Sequence, residues 1–193
     1  MSQASGPVTS PQDPAPASAP GHPAQAFAPE AFRLAVGQFV SGIAVVTTTV
    51  GGVTSAITAS SFTSVSLDPL LVLVCVERAG RQHDPLVAAG TWAVSVLAED
   101  HEPTARGLAP HAQLPGSTVA GLNGHPHHPG PATGHPILDG ALAALECRTY
   151  AVHPGGDHTI LIGQVLSVAG PAATDVPGPL LTHAGRYRRL PTP

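Results

Sequence analysis

The sequence predicts a mainly β domain with a few short helices, in which a largely antiparallel sheet closes or partly closes into a barrel. About six or seven runs of β-branched and apolar residues are separated by turns, whereas only short segments have helical spacing. Strands and helices do not alternate along the chain, so parallel βαβ units are not expected. The 193 residues are enough for one domain with a single hydrophobic core.

The first residues differ in composition from the rest of the chain. Residues 1–27 are rich in Pro, Ala and Ser and contain almost no large apolar side chain. Such a segment cannot bury enough surface to offset the entropy lost on ordering, so we expect a disordered tail before a domain over residues 28–193. Pro29 suits the first turn of a helix, and three apolar residues follow it at helical spacing: Phe32, Val36 and Phe39.

Two pairs of strands are predicted by runs that flank Gly-rich turns. Residues 43–50 and 53–60 are β-branched and enclose Gly51-Gly52, which predicts a tight hairpin. Residues 140–154 and 158–169 enclose a second turn and predict another hairpin. Further strands are expected at residues 70–77, 91–98 and 180–183, with short helices around residues 84–90 and 101–109.

Composition excludes several classes of chemistry. All eight basic residues are Arg, so a lysine Schiff base and a P-loop lysine are both excluded. The net charge of -4 and the absence of a basic run argue against nucleic acid as a partner. No G-x-G-x-x-G follows a predicted strand, so a dinucleotide would have to bind without a Rossmann unit.

Composition also suggests the state and location of the protein. Only 10% of the residues are charged, which leaves much apolar surface and favours a homodimer. Cys75 and Cys147 lie in apolar runs, as buried reduced thiols usually do. We expect no signal peptide and no membrane span, and therefore a cytoplasmic protein.

The segment from Thr58 to Pro69 is the first candidate site. It places six hydroxyl residues in nine positions directly after a strand. Hydroxyls and exposed backbone N–H groups can bind an anionic or carbonyl-rich ligand where lysines are missing, so the segment could cradle a flavin. The alternative is a Ser/Thr-rich strand edge whose hydroxyls satisfy the local backbone.

The turn Gly155-Gly156-Asp157 and the following His158 are the second candidate. The turn presents an imidazole at the start of a strand, where it could hydrogen-bond a nicotinamide or flavin carbonyl. A solvated loop histidine is the alternative. Near the end of the chain, the basic cluster of Arg186, Tyr187, Arg188 and Arg189 could bind a dinucleotide phosphate, or could be a solvated tail.

The segment from Pro110 to Pro136 has no recognisable pattern and predicts a long loop of Gly, Pro, His and small residues. Four histidines in it could suggest zinc or copper: His125, His127, His128 and His135. They lie among Pro and Gly, and Asp139 is the only nearby carboxylate, whereas metal ligands normally sit on rigid elements with supporting partners. We therefore expect no metal site.

Taken together, these segments resemble the short-chain flavin reductase family, the reductase components of two-component flavin-dependent monooxygenases. The resemblance covers about residues 32 to 190, and the chain is especially similar to reductases of actinomycete natural-product pathways such as those for actinorhodin and the enediynes. Six ordered segments carry it: SGIAVVTT (41–48), TASSFTSVSLDPLLVLVCV (58–76), WAVSVLAEDH (92–101), LDGALAALEC (138–147), GGDHTILIGQV (155–165) and GRYRRL (185–190).

The resemblance implies a split β-barrel homodimer with the flavin near the dimer interface. It places flavin contacts at Thr58, Ala59, Ser60 and Ser61, and further walls at Ser41, Gly42, Thr47 and the stretch from Cys75 to Arg81. His158 falls where the family meets the nicotinamide, and Arg186 and Tyr187 would help to close that site. The segment ERAGRQHDP departs from the family pattern of a Ser or Thr near the flavin phosphates, so Arg78 or Arg81 would have to bind them.

The function implied is that of an NAD(P)H:flavin oxidoreductase. NADH would reduce a loosely held flavin, and FADH2 or FMNH2 would pass to a partner monooxygenase, in a natural-product pathway. FAD is the favoured flavin, with FMN as the alternative, and NADH is favoured over NADPH. Two other readings remain open: a flavin-binding or carrier module without reductase activity, and an oxygenase or oxidase that keeps its flavin bound.

Overall fold

The computed structural model describes residues 27–109, 121–122, 124–170 and 177–191. Its helices are α1 (Pro29–Val36), α2 (His83–Ala88) and α3 (Glu102–Leu108), the last preceded by a single 3-10 turn at Glu99–His101. Its strands are β1 (Ser41–Gly42), β2 (Ala44–Val50), β3 (Val53–Ala59), β4 (Thr63–Leu67), β5 (Leu70–Glu77), β6 (Thr91–Val96), β7 (His127–Pro129), β8 (Pro136–Leu138), β9 (Ala143–Gly155), β10 (His158–Ala169), β11 (Leu181–His183) and β12 (Arg186–Arg188).

Seven strands form one antiparallel sheet in the order β3-β2-β6-β9-β10-β5-β4. The two edge strands, β3 and β4, are joined by only three residues, 60–62, so the sheet must curl until its edges approach each other. β3 and β4 do not pair, although β3 contacts β5 across the gap. The result is a barrel that is split between β3 and β4.

Two smaller sheets accompany the barrel. β11 pairs with both β1 and β12, so Ser41–Gly42 and Arg186–Arg188 flank it in a three-stranded sheet. This sheet is tied to the barrel because the N–H of Leu180 donates to the Leu97 carbonyl and the N–H of Leu97 donates to that of Ile43. β7 and β8 form a short hairpin.

The barrel interior contains a core built from both halves of the sheet. Buried side chains alternate along β5 and β10, whereas β2 and β6 are buried on both faces over most of their length. The main cluster is completed by Leu86 of α2 and includes Ala44, Val46, Ile57, Ala59, Val72, Val74, Val76, Trp92, Val94, Cys147 and Leu161. A second cluster packs α3 and Leu180 against the outer side of β2 and β3.

Gly163 marks the closest packing in this core. It lies on β10 beside a register shift between Ile162 and Gly163, and it faces Trp92, which is fully buried. A methyl group added at Gly163 would overlap the Trp92 indole and lie 2.9 Å from the Cβ of Cys147. The absence of a side chain there lets the indole fill the barrel interior.

A buried carboxylate fastens the loop between β7 and β8. Glu146 on β9 is 1% exposed and accepts hydrogen bonds from the N–H groups of Ala132 and Thr133 and from the Thr133 hydroxyl. Burial raises the pKa of Glu146, but these hydrogen bonds outweigh it, so the pKa lies below its ordinary value. The carboxylate is therefore a structural anchor for this loop.

His135 completes this attachment. Its Nδ1 accepts the Thr49 N–H at 3.1 Å, so Nε2 carries the proton and donates to the Thr91 hydroxyl at 2.8 Å. The side chain is buried, and burial lowers its pKa. The neutral imidazole thus links the loop to β2 and β6.

The predicted strands and hairpins are confirmed, and four segments correct the predictions. The supposed loop of residues 110–136 contains β7 and the start of β8, although residues 110–120 lie outside the described residues. β4 was not predicted because its Ser and Thr residues are also typical of turns. β12 was not predicted because three residues of a basic cluster show no strand pattern. α1 ends at Val36, so Phe39 lies beyond it.

The tail predicted for residues 1–27 lies outside the described residues, except for Phe27. Within the described part of the chain, no helix has both the length and the apolar character that a bilayer crossing requires.

We expect Gly163→Ala to destabilise the protein by about 1–3 kcal/mol, because the added methyl overpacks the core against Trp92. Urea denaturation would measure the loss. Gly170→Ala is the matched control, because nothing lies within 4 Å of a Cβ at Gly170. Equal stability of the two variants would show that the core around Trp92 can relax.

His135 should make stability depend on pH. Its pKa is lowered from 6.5 in the folded state, so its contribution is present above about pH 6.5 and is lost as pH falls through the folded pKa. We expect the urea midpoint of the wild type to fall over this range, and that of His135→Asn to fall less. His127→Asn, at an exposed histidine, is the control, and an unchanged pH slope in His135→Asn would contradict the prediction.

Candidate functional site

A cleft of about 970 Å³ opens at the split of the barrel. The end of β3 and the following turn form one side, and β5 and the tip of the β9–β10 hairpin form another. α1 contributes a third wall. The lining residues are Phe27, Pro29, Phe32, Arg33, Thr58, Ala59, Ser60, Ser61, Cys75, Glu77, Asp157 and His158.

The turn after β3 leaves backbone donors at the cleft. The pairing of β4 with β5 ends at Thr63, which lies opposite Leu73. Beyond it, the N–H of Cys75 donates to the Ser61 hydroxyl at 2.9 Å in place of a backbone carbonyl. In the part of the chain that the structure describes, the N–H groups of Ser60 and Ser61 donate to no protein acceptor. They are therefore available to a ligand.

The hydroxyl of Thr58 has a different use. It donates to the carbonyl oxygen of Ala105 at 2.9 Å and so holds α3 against β3. Ala59 is buried, whereas Ser60 is exposed at the cleft. The ligand-binding capacity of this turn therefore lies mainly in its backbone and in Ser60.

The other side of the cleft presents an oriented imidazole. His158 begins β10 opposite Glu77 of β5, and its Nδ1 lies 2.7 Å from Oδ1 of Asp157. A hydrogen bond to His158 lowers the pKa of Asp157, and the charges of His158 and Arg33 lower it further. The carboxylate thus fixes Nδ1 as a donor, which leaves Nε2 for a ligand. The N–H of Arg78 donates to the Asp157 carbonyl and holds the turn.

The wall from α1 was not identified in the sequence. α1 buries none of its residues, yet its Pro29, Phe32 and Arg33 line the cleft together with Phe27, which precedes the helix. Phe27 and Phe32 are 58% and 56% exposed. An amphipathic helix normally buries its apolar face in the core, so its sequence pattern alone gave no reason to place it at a site. The charges in the cleft were not predicted from the sequence either: Arg33 contributes a cation to the lining, and Glu77 and Asp157 contribute carboxylates.

The structure brings together six of the expected site residues. Thr58, Ala59, Ser60, Ser61, Cys75 and His158 all line the cleft, although they come from three separate segments of the chain. Their convergence follows from the strand order, because β5 lies between β4 and β10.

The other expected residues lie elsewhere. Ser41 and Gly42 sit in β1, and Arg186 and Tyr187 in β12, so these four belong to the three-stranded sheet and do not line the cleft. Tyr187 packs against the second core cluster, with the Arg106 guanidinium 4.9 Å from its ring centre. The clustering of β1 and β12 results from pairing with β11, which the sequence did not reveal.

Thr47 and Arg81 also lie outside the lining. Thr47 is 1% exposed, and its hydroxyl donates to the carbonyl of Pro136 at 2.6 Å, which makes it a core contact. Arg78 and Arg81 lie in the exposed turn between β5 and α2.

The described histidines of the segment from Pro110 to Pro136 each have a separate partner. His125 bonds to Thr104, His127 to the His125 carbonyl, and His128 to Asp139 at 2.6 Å. Across the described ranges, no three His, Cys, Asp or Glu side chains are grouped as metal ligands would be. Cys147 is buried, and burial raises the pKa of its thiol to about 12.

Comparison with known proteins gives a consistent result. The family model described as "Flavin reductase like domain" matches residues 36–191. The chain is 40% identical over 163 residues to the NADH-dependent FAD reductase of Streptomyces globisporus, covering 82% of this chain and 84% of that protein. It is 38% identical over 168 residues to the NADH-dependent FMN reductase AsuE2 of Streptomyces nodosus subsp. asukaensis, covering 84% and 85%.

The fold has close counterparts among solved structures. One is BorF, the flavin reductase component of a bacterial two-component tryptophan halogenase, which matches with a TM-score of 0.75 and 36% identity. The match covers 85% of this chain and 99% of that chain.

Proposed function

The chain belongs to the flavin reductase-like domain family, and on that premise we propose that the cleft at the split of the barrel is its active site. The observation that carries this assignment is the convergence of the Ser60–Ser61 turn and the Asp157–His158 pair in one cleft. One element offers unpaired donors and the other offers an oriented imidazole.

The protein is an NADH-dependent flavin reductase that supplies reduced flavin to a monooxygenase. Its substrates are NADH and FAD or FMN. We propose FAD as the preferred flavin, following the NADH-dependent FAD reductase that is 40% identical to this chain. We propose a natural-product pathway as the setting, because both reductases compared above come from Streptomyces.

The residues in the cleft fit a flavin. A flavin ring carries carbonyl oxygens that need hydrogen-bond donors, and the N–H groups of Ser60 and Ser61 have no acceptor within the described residues. The Ser60 hydroxyl adds a further donor. These groups would stabilise the negative charge that develops on the ring during reduction. We propose that Cys75 and Ala59 contact the ring without donating to it.

The protein's contribution to the reaction is mainly alignment. The two bound substrates would supply the reactivity themselves, with hydride transferred from C4 of the nicotinamide to N5 of the flavin. We propose that Nε2 of His158 holds the nicotinamide, while Asp157 keeps the imidazole in one orientation. No acid or base is required of the protein.

We also propose that residues 28–193 act as one domain and that the protein works in the cytoplasm, where NADH is regenerated. Product release favours weak flavin binding, since the reduced flavin has to leave. The purified protein should therefore be nearly colourless.

Turnover should depend on added flavin. We expect the purified protein to oxidise NADH only when FAD or FMN is supplied, and to use NADPH poorly. The decrease in the absorbance of NADH measures the rate. Binding of flavin without NADH oxidation would instead indicate a flavin carrier. Tight flavin that survives gel filtration would indicate an enzyme that keeps its flavin.

His158→Asn gives this test a residue-specific arm. We expect it to raise the KM for NADH about tenfold, because the nicotinamide loses its positioning group, while the KM for flavin stays within about twofold. His153→Asn is the control, since His153 is exposed on β9 and does not line the cleft. Equal KM values for NADH in the two variants would contradict the proposed role of His158 in holding the nicotinamide.

We propose a homodimer joined through an apolar end of the sheet, defined by Leu67, Leu70, Leu166 and Val168. These side chains are 43–86% exposed. They lie together because Gln164 pairs with Leu71, which places the end of β10 beside the β4–β5 turn. Apolar area of this kind is usually covered by a second copy.

Light scattering should give the mass of a dimer, and Val168→Asp should shift it towards the monomer, because a carboxylate would be desolvated in the interface. Val53→Asp is the control, since Val53 is 58% exposed at the β2–β3 turn. A monomeric wild type would refute the homodimer.

A further inference from the structure

α1 combines two unusual properties. It buries none of its residues, yet it faces the cleft with aromatic and cationic side chains. The chain has only four Phe residues, and two of them, Phe27 and Phe32, line this cleft while more than half exposed. Core packing does not account for their position, and both rings line the cleft, where a ligand can contact them.

We propose that α1 is the binding wall for an adenosine diphosphate group, with Phe32 stacking on the adenine and Arg33 binding a phosphate. This inference rests on the proposed function of the cleft. NADH and FAD both carry an adenosine diphosphate group, and the experiments below distinguish which of them uses the wall.

A dinucleotide in this cleft needs a nearby cation, because its phosphates would otherwise face negatively charged side chains. A dinucleotide carries two phosphate charges, and the cleft also contains the carboxylates of Glu77 and Asp157. The chain has no Lys, and Arg33 is the one arginine among the described lining residues. Its charge already reaches across to the hairpin tip, where it lowers the pKa of Asp157. A planar guanidinium is well suited to a phosphate oxygen pair.

The stacking partner lies next to the cation. Phe32 and Arg33 are consecutive in α1, and both line the cleft. Exposed aromatic rings stack on nucleobases with useful energy and little dependence on the base. α1 would therefore supply the phosphate contact that a G-x-G-x-x-G turn and its helix supply in a Rossmann unit, and a stacking contact to adenine as well.

Two substitutions with matched controls test the wall. Arg33→Gln is paired with Arg148→Gln, which removes an exposed arginine of β9 outside the lining. Phe32→Ala is paired with Phe39→Ala, which removes a ring that is 77% exposed beyond the end of α1. Since α1 contributes nothing to the core, all four variants should fold with unchanged melting temperature.

Steady-state kinetics with each flavin identify the source of the group. FMN lacks adenine, so an approximately tenfold rise in the KM for NADH with either flavin would assign the wall to NADH. A similar rise in the KM for FAD, with the KM values for FMN and NADH unchanged, would assign it to FAD. Both results require that kcat change little. Unchanged KM values for all three in Arg33→Gln and Phe32→Ala would overturn the proposal.

Calorimetric titration with ADP tests the wall without catalysis. We expect the wild type and both control variants to bind ADP alike, and Arg33→Gln and Phe32→Ala to bind it at least about fivefold more weakly. Equal affinity in all five proteins would overturn the proposal. An absence of NADH oxidation by the wild type would refute the reductase function, whereas the ADP titration would still report on α1.

Discussion

The three-residue connection between β3 and β4 is the constraint on which the rest of the structure depends. It joins the two edges of a seven-stranded sheet, so the sheet can only curl. The same three residues are too few to continue both strands in register, which leaves the N–H groups of Ser60 and Ser61 unpaired within the described chain. Closure of the barrel and formation of the cleft therefore have one cause.

The back of the barrel supplies the rigidity that this opening needs. Trp92 fills the interior against Gly163, and Glu146 with His135 fixes the β7–β8 loop to β2, β6 and β9. The cleft residues, in contrast, lie at strand ends and at a hairpin tip. In the proposed active site, walls that are supported from behind would let both substrates enter and leave without loss of the site's shape.

The sequence was informative wherever one segment determined its own structure. β-branched runs beside Gly turns predicted the long strands, and Ser60, Ser61 and His158, which lie in the cleft lining, stood out because each lies at an end of such a strand. Cys75, inside β5, was singled out only by the resemblance to a family. β4 and β7 were not predicted because their residues lack the apolar–polar alternation of a half-buried strand. The positions of α1 and β12 depend on pairing and packing between distant segments, for which a single sequence gives no local signal.

The strand order also bears on how the chain is made. β10 pairs with both β9 and β5, so the edge of β5 that faces β10 stays unpaired until a strand more than eighty residues further along the chain has been translated. Until then its row of backbone donors and acceptors on that side is open to any other extended chain. We infer that the nascent protein is most vulnerable to aggregation just before β10 leaves the ribosome, and that truncation before His158 would leave an insoluble fragment rather than a smaller domain.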